Sequence, residues 1–425
     1  MAAVLLPRQL DVGRLQCLLV EQGVVLREGI PSARDRAACS EKPLPPGPDR
    51  PPGCVPAVKL GPDAPRVSWV RDVPVVCRTQ VLVVGVTPAG MAAAVSCARA
   101  GARTLLVERA GFLGGCLAEG VPLCLPSHDP PAEGLFAQWC AEMKKAGVAA
   151  GEPADPEYSK HVTDRLIARS GVKLLLRALP IDAMRAGKQH VTSGLIVHTK
   201  SGPLGIAADC IVDGTTEADV AAMAGARFRA PGPARWRRAF FAGVTAGEGL
   251  DPPPRLHWGP SRRWLCGAVE VETAPPVAFT KAELETRRKL FEEILRLRKL
   301  PGYENTLLLR SSFTVERTNP RHVEALATLG ADVSEVEGGP RVPVATTSAG
   351  PVPLGCLMPR GCPRLLVAGQ AIAATPASSQ AVEPVIVQMA IGDAAGRVAA
   401  VAAQTQQVPA HLSPQQLKTA LATGQ

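Results

Sequence analysis

Gly85-Val86-Thr87-Pro88-Ala89-Gly90 is the stretch whose residue types and spacing best suit a phosphate. A dinucleotide turn needs glycine first for tightness, a small third residue so that pyrophosphate can approach the backbone, and glycine sixth for helix–strand packing. The helix that follows offers free N–H groups and the positive end of its dipole. Gly85 and Gly90 meet the outer requirements, Thr87 replaces the middle glycine, and Pro88 and Ala89 complete the turn. Glu108 lies 23 residues after Gly85, where a carboxylate can accept from ribose hydroxyls. An ordinary strand–helix turn without a ligand is the competing reading of the six residues alone.

The surrounding elements favour the nucleotide. Val81-Leu82-Val83-Val84 is a β-branched run suited to a buried parallel strand. Met91 to Ala100 reads as an Ala-rich helix stopped by Gly101, and Thr104–Val107 as a second strand ending at Glu108. Glu108-Arg109-Ala110-Gly111-Phe112-Leu113-Gly114-Gly115 then places a Gly-Gly pair six residues after the acid. Such a loop lets the backbone approach an extended cofactor beyond its adenosine half, which points to FAD rather than NAD. A simple surface turn is the bland alternative for the pair.

Farther along, 155–170 has a helical pattern and 172–177 that of a strand. Residues 194–198 and 204–208 read as a hairpin around Lys200-Ser201-Gly202, with another strand at 209–213. Lys281–Lys299 is an amphipathic helix with Glu285/Lys289 and Glu292/Arg296 at i,i+4 spacing. Arg364–Gly369 reads as a last buried strand, and Glu383–Gln404 as a last helix with Pro384 in its first turn. The expected organisation is an N-terminal extension with a Pro-rich linker (1–77), a first segment of a Rossmann-like domain (78–225), an inserted α+β substrate domain (226–345), a second segment (346–405) and a C-terminal tail (406–425). The fold class is therefore α/β.

Composition narrows the alternatives. Hydrophobic residues make up 46% of the 425, enough for a large core. The net charge of +9 is compatible with nucleic acid, but aromatics are only 4% and no recognition helix or zinc-knuckle spacing accompanies the arginines. An Arg-biased chain without a nucleic-acid partner is the expectation. No apolar run reads as a membrane span, and the first ten residues lack a secretory pattern, so a cytoplasmic location is expected. The 12 cysteines are scattered without a C-x-x-C and read as buried free thiols. No metal cluster is evident. His128-Asp129, and His257-Trp258 among Arg255, Arg262 and Arg263, are candidates for acid–base or anion-binding roles, though turn and solvated-loop readings suit them better. The catalytic residues stay unassigned.

With these residues in view, the chain resembles the FAD-dependent oxidoreductases whose flavin domain is built like glutathione reductase. Val212-Asp213-Gly214-Thr215-Thr216-Glu217-Ala218-Asp219 is similar to that family's I-D-A-T-G-D-A-D return strand. Val352-Pro353-Leu354-Gly355-Cys356-Leu357-Met358-Pro359 resembles its I-P-Y-x-x-L-x-P segment. Arg364–Gln370 resembles N-L-L-V-A-G-R, and Gly392-Asp393-Ala394-Ala395-Gly396 resembles G-Q-A-A-G. The resemblance implies an isoalloxazine ring that carries electrons between a small organic substrate and an acceptor of unknown identity. It also implies that the last helix starts against the pyrimidine edge of the flavin. The cofactor-binding residues expected on these grounds are Gly85, Thr87, Pro88, Ala89, Gly90, Glu108, Arg109, Gly114, Gly115, Gly369, Gln370, Glu383, Pro384 and Val385.

The chain also departs from the family pattern. Ala381 and Gln370 stand where arginines are usual, Thr216-Glu217 replaces the T-G-D turn, and Thr314–Thr318 with Arg321 nearby matches G-V-R-E-x-R-R only loosely. These changes motivate a second reading, a diverged homologue that keeps the fold as a non-catalytic binding protein.

Overall fold

In the computed structural model, the described residues are 72–119, 123–126, 133–186, 191–229, 234–242, 252, 256–258, 265–272, 278–312, 315–317, 321–331, 340 and 342–422. The extension before residue 72 and the His128-Asp129 pair lie outside them.

The buried β-branched run is the end of β1 (Val75–Val84), whose first four residues are exposed. β1 pairs in parallel with β2 (Thr104–Val107) on one side and β6 (Gly202–Asp213) on the other. β2 pairs in parallel with β3 (Lys173–Leu175). β6 is long enough to serve two sheets' worth of neighbours. Its first half pairs antiparallel with β5 (Val191–Thr199), itself paired with β4 (Leu179–Ala186), while Ile211–Asp213 pairs in parallel with β14 (Leu365–Val367). The separate strand expected at 209–213 is thus the continuation of the hairpin strand. No turn signal interrupts Gly202–Asp213, so one strand runs through.

α1 (Pro88–Arg99) follows β1, and Gly101 (φ 82°) ends it as expected. The helix begins three residues earlier than its apolar pattern, because Pro88 occupies the first turn and Thr87 caps it. α2 (Leu135–Lys145) and α3 (Pro156–Ser170) follow, the latter capped by Asp155 through the Glu157 and Tyr158 N–H groups. A short α4 (Asp219–Met223) closes the first stretch.

A second, five-stranded sheet is built from β7 (Ala234–Ala242), β8 (Leu256–Trp258), β9 (Leu265–Glu272), β10 (Leu307–Ser311) and β11 (Glu316–Arg317). α5 (Ala278–Leu297) packs on it. The buried Arg237 ties helix to sheet, donating to Thr286 Oγ1 and ion-pairing with Glu283. The expected pairs Glu285/Lys289 and Glu292/Arg296 do not form. Lys281–Glu285, Arg287–Glu283, Arg288–Glu292 and Arg296–Glu293 form instead, and Lys289 Nζ donates to Glu270 O of the sheet. Lys289 is drawn off by a tertiary acceptor, whereas Glu292 and Arg296 each find another partner within the helix.

After the small hairpin of β12 (Pro343–Thr347) and β13 (Gly350–Pro353), the chain returns through β14 to α6 (Val385–Gln404), preceded by a 3-10 turn at Ser379–Val382. Pro384 sits just outside the helix as its N-cap rather than in its first turn. By length and composition alone α6 is apolar enough to cross a membrane, and 61% of its apolar window is buried inside the protein, as in a core helix. Beyond it, α7 (Pro414–Leu421) has a reciprocal Ser413/Gln416 capping box and buries Leu417 in the main core. The nine cysteines among the described residues are free thiols, five of them buried, three half-buried and Cys77 exposed.

Candidate functional site

At the carboxyl ends of β1, β6 and β14, four backbone segments meet with no room for side chains. A Cβ on Gly90 would lie 2.0 Å from Gly85 O, and one on Gly214 would lie 2.5 Å from Gly90 Cα. Gly85 adopts φ 92°, which other residues rarely tolerate. The turn and the return strand can therefore approach this closely only because glycine stands at 85, 90 and 214. Sequence reading supplied Gly85 and Gly90, whereas Gly214 was seen only as one letter of a motif.

Thr87 explains how the middle glycine can be absent. Its Oγ1 accepts from Gly90 N–H at 3.2 Å and donates to Gly214 O, so the hydroxyl caps α1 and bridges to the return strand. With Pro88 lacking an N–H and the Gly90 N–H engaged, the Ala89 N–H is the first-turn donor that the helix leaves for a ligand.

Glu108 is buried and fastens this turn. Its Oε2 accepts from Val86 N–H at 2.9 Å and its Oε1 from Ala110 N–H at 2.7 Å. Each carboxylate oxygen has a second lone pair for a ribose hydroxyl, so bracing and binding are compatible. Arg109 follows on the exposed side of the loop. The Gly-Gly pair is brought back to the same place: Gly114 (φ 107°) and Gly115 (φ 48°) turn the chain, and a Cβ on Gly115 would lie 3.1 Å from Thr87 Cα and Val86 O.

The second segment completes the cluster. Gly369 (φ 92°) follows β14, and its added Cβ would meet Ala89 Cβ at 3.2 Å. Gln370 is the next residue, half-buried. Gly392 and Gly396 of α6 abut Ala89 and Ala93 of α1, where a Cβ would come within 2.0 Å and 2.3 Å of their carbonyl oxygens. Ser96 Oγ donates to Asp393 Oδ1 in the same seam, and Cys97 Sγ donates to Gly396 O. Contacts of 89 with 392 and 93 with 396 make the two helices parallel. α6 consequently starts about seven residues, or about 10 Å, beyond the point where it touches the turn. Gln388 N–H closes the first turn on Pro384 O, and the Gln388 side chain donates to Glu383 O. Val385 and Ile386 follow Pro384, and Ile386 is 40% exposed.

Two residues that sequence reading did not single out hold this end of the sheet. Asp213 is fully buried at the end of β6. It accepts from the Thr215 N–H and hydroxyl and from Ala221 N–H. Burial pushes its carboxyl up to about 6, against the opposing pull of the Thr215 and Ala221 hydrogen bonds, with Asp219 adding to the rise. The Asp-Gly-Thr order was its only signal. His322 is buried as well, and its Nδ1 donates to Ile372 O at 2.8 Å, since a carbonyl can only accept. Burial lowers its pKa, the Ile372 contact raises it, and Arg229 lowers it. Nothing in the local sequence marked His322.

Arg321 reaches the turn where T-G-D is altered, donating to Glu217 O and pairing with Asp219 at 2.8 Å, with its guanidinium 4.7 Å from the Phe228 ring centroid. By contrast, Glu316-Arg317 pairs with β7 in the second sheet. Ala381 is buried in the 3-10 turn before α6. The side chains of His257 and Trp258, and Arg255, Arg262 and Arg263 entirely, lie outside the described residues.

A parallel sheet ending in a glycine-tight turn, braced by a buried acid and covered by a second helix, defines the class of α/β dinucleotide-binding flavoproteins. Residues 80–237 and 315–421 match the model of the FAD dependent oxidoreductase family, and the chain belongs to that family. FAD is its cofactor and it is an enzyme, as the reading of the motifs anticipated. Nothing in the comparisons favours the non-catalytic alternative. No curated protein sequence matches the chain. Among solved structures, the myxobacterial FAD-dependent chondrochloren halogenase CndH superposes with a TM-score of 0.50 at 15% identity, covering 80% of this chain and 78% of the halogenase. The p-nitrophenol 4-monooxygenase PnpA from Pseudomonas putida DLL-E4 gives 0.46 at 13% identity over 81% and 84% of the two chains. At such identities the likeness to the halogenase speaks to the shared fold.

Proposed function

We propose that the enzyme oxidises a small organic substrate, with the extended cofactor lying from Glu108 across the Gly85–Gly90 turn to the start of α6. The observation that carries this reading is the parallel seam of α1 and α6. It makes α6 overhang the dinucleotide turn by about 10 Å, on the side where the sheet strands end. Bound there, FAD supplies the electron chemistry through its isoalloxazine ring.

The roles of the chain's own residues follow from their positions. Glu108 holds the ribose and the turn together. Ala89 N–H and the dipole of α1 meet the pyrophosphate, with Gly114 and Gly115 keeping the opposite wall free of side chains. Gly369, Gln370 and the Glu383-Pro384-Val385 entry to α6 border the ring. N–H groups of Val385 and Ile386, which have no acceptor within the helix, then face the pyrimidine edge and favour negative charge there. Substitution of Gly369 by Val tests the placement. It should abolish FAD retention while the apo-protein stays folded by circular dichroism. Full retention would refute the location.

A further inference from the structure

The chain leaves the first flavin-domain segment at 227–229 and comes back at 321–324, and these two stretches pair with each other. Phe228 bridges Val323 in antiparallel fashion, Arg229 N–H donates to His322 O, and Glu324 N–H donates to Arg227 O. The second sheet and α5 lie between the two stretches of this neck in the chain, and among the described residues Arg310 of β10 also reaches Glu157 of α3 at 3.9 Å. The same neck grips the loop that follows Gly369-Gln370. His322 Nδ1 donates to Ile372 O at 2.8 Å, Arg229 Nη1 donates to Ala374 O at 3.2 Å, and Val323 N–H donates to Ala371 O at 3.0 Å. Three grips on residues 371, 372 and 374 leave that loop little freedom of its own.

We propose that His322 and Arg229 are positioning residues that set the 371–374 loop against the flavin and so couple the inserted region, through its neck, to the cofactor. The second half of this statement rests on the placement of the ring beside Gly369 given above. The chemistry fits the role. The Ile372 carbonyl fixes the imidazole tautomer, with the proton on Nδ1, so the ring is a neutral, directional donor. It is only 5% exposed, so loss of the donor leaves the carbonyl without water to replace it. His322 Nε2 meets no acceptor or donor among the described residues, which makes the Nδ1 contact the ring's one polar engagement there.

Three variants separate the atoms of the ring. His322→Asn keeps a donor near the Nδ1 position, His322→Gln keeps an amide near Nε2, and His322→Leu keeps the volume alone. Hydrogen exchange of peptides covering 369–376 in the apo-protein reads the grip, and the visible spectrum and reduction potential of the FAD-loaded protein read its consequence. His322→Leu should speed exchange of the 371–375 amides about tenfold or more, and shift both flavin readouts. His322→Asn should restore them and His322→Gln should not. Unchanged exchange in His322→Leu, or rescue by Gln instead of Asn, overturns the grip. Faster exchange with an unmoved flavin spectrum overturns the coupling, and retention of FAD by Gly369→Val then tells whether the ring's placement was at fault. If His322→Leu does not fold, Arg229→Met at an exposed position serves. It should loosen the same loop, and unaltered exchange there counts against the proposal.

Discussion

Glu108→Gln is the change whose consequence the structure lets one work through. Both carboxylate oxygens accept from buried backbone donors, Val86 N–H at 2.9 Å and Ala110 N–H at 2.7 Å. Glutamine can satisfy one of them with its carbonyl, but its amide then faces the other as donor against donor. A buried N–H left against a donor costs about 1–3 kcal/mol, and the loss of carboxylate charge adds to that. If the turn stays rigid, the whole cost appears as lower stability of the apo-protein. If it relaxes, FAD must pull it back, and about 1.4 kcal/mol of the cost corresponds to a tenfold weaker Kd. The sum is the invariant quantity. Urea unfolding of the apo-protein, FAD titration by fluorescence quenching and amide exchange at Val86 and Ala110 measure its parts. The reasoning fails if both amides exchange in the wild-type apo-protein as fast as solvent-exposed ones. It fails equally if the variant matches wild type in both stability and affinity.

Other expectations can be checked singly. Thr87→Val should weaken helix capping and lower stability by about 0.5–2 kcal/mol, whereas Thr87→Gly should lose only a few tenths at the cap, as read by urea midpoints. Gly392→Ala has no space against Ala89 O, so a stability loss of at least about 1–3 kcal/mol and weakened FAD retention should appear in calorimetry and absorbance. For Asp213 the folded state keeps its proton up to about pH 6 while the unfolded chain releases it near the ordinary carboxyl value of 3.8. Between those values the folded form binds more protons, so this group's contribution falls as pH rises, by about 3 kcal/mol at 1.36 kcal/mol per pK unit. Apo-protein urea midpoints across pH 4–7 should fall less steeply in Asp213→Asn than in wild type.

Local sequence carried the first half of the site because its constraints are local. Gly85, Gly90 and Gly101 each answer to a turn or a packing contact whose partners are close in the chain, and the strand–helix–strand pattern frames them. What stayed hidden was set by distant partners. Gly214 and Gly392 are glycines because backbone from another element passes against them, and Asp213 is buried in a sheet of seven strands drawn from distant parts of the chain. The degraded middle glycine looked like a defect, yet Thr87 finds its hydrogen-bond partner 127 residues away. The Glu285/Lys289 pair failed for the same reason in reverse, since Lys289 found a sheet carbonyl that no helical spacing reveals, while Glu292 and Arg296 took other partners on the helix itself. His322 was illegible because its role depends on Ile372, 50 residues later, in a loop whose path the sequence does not declare.

The most direct test of the account is the visible spectrum of the purified protein beside that of Gly90→Val, whose side chain has no space against Gly85 O. The account predicts a flavin spectrum that persists through gel filtration and is bleached by a reductant in the wild type, and a colourless variant. A wild-type protein that stays colourless after incubation with FAD would contradict it, as would a Gly90→Val protein that holds the flavin as firmly as the wild type.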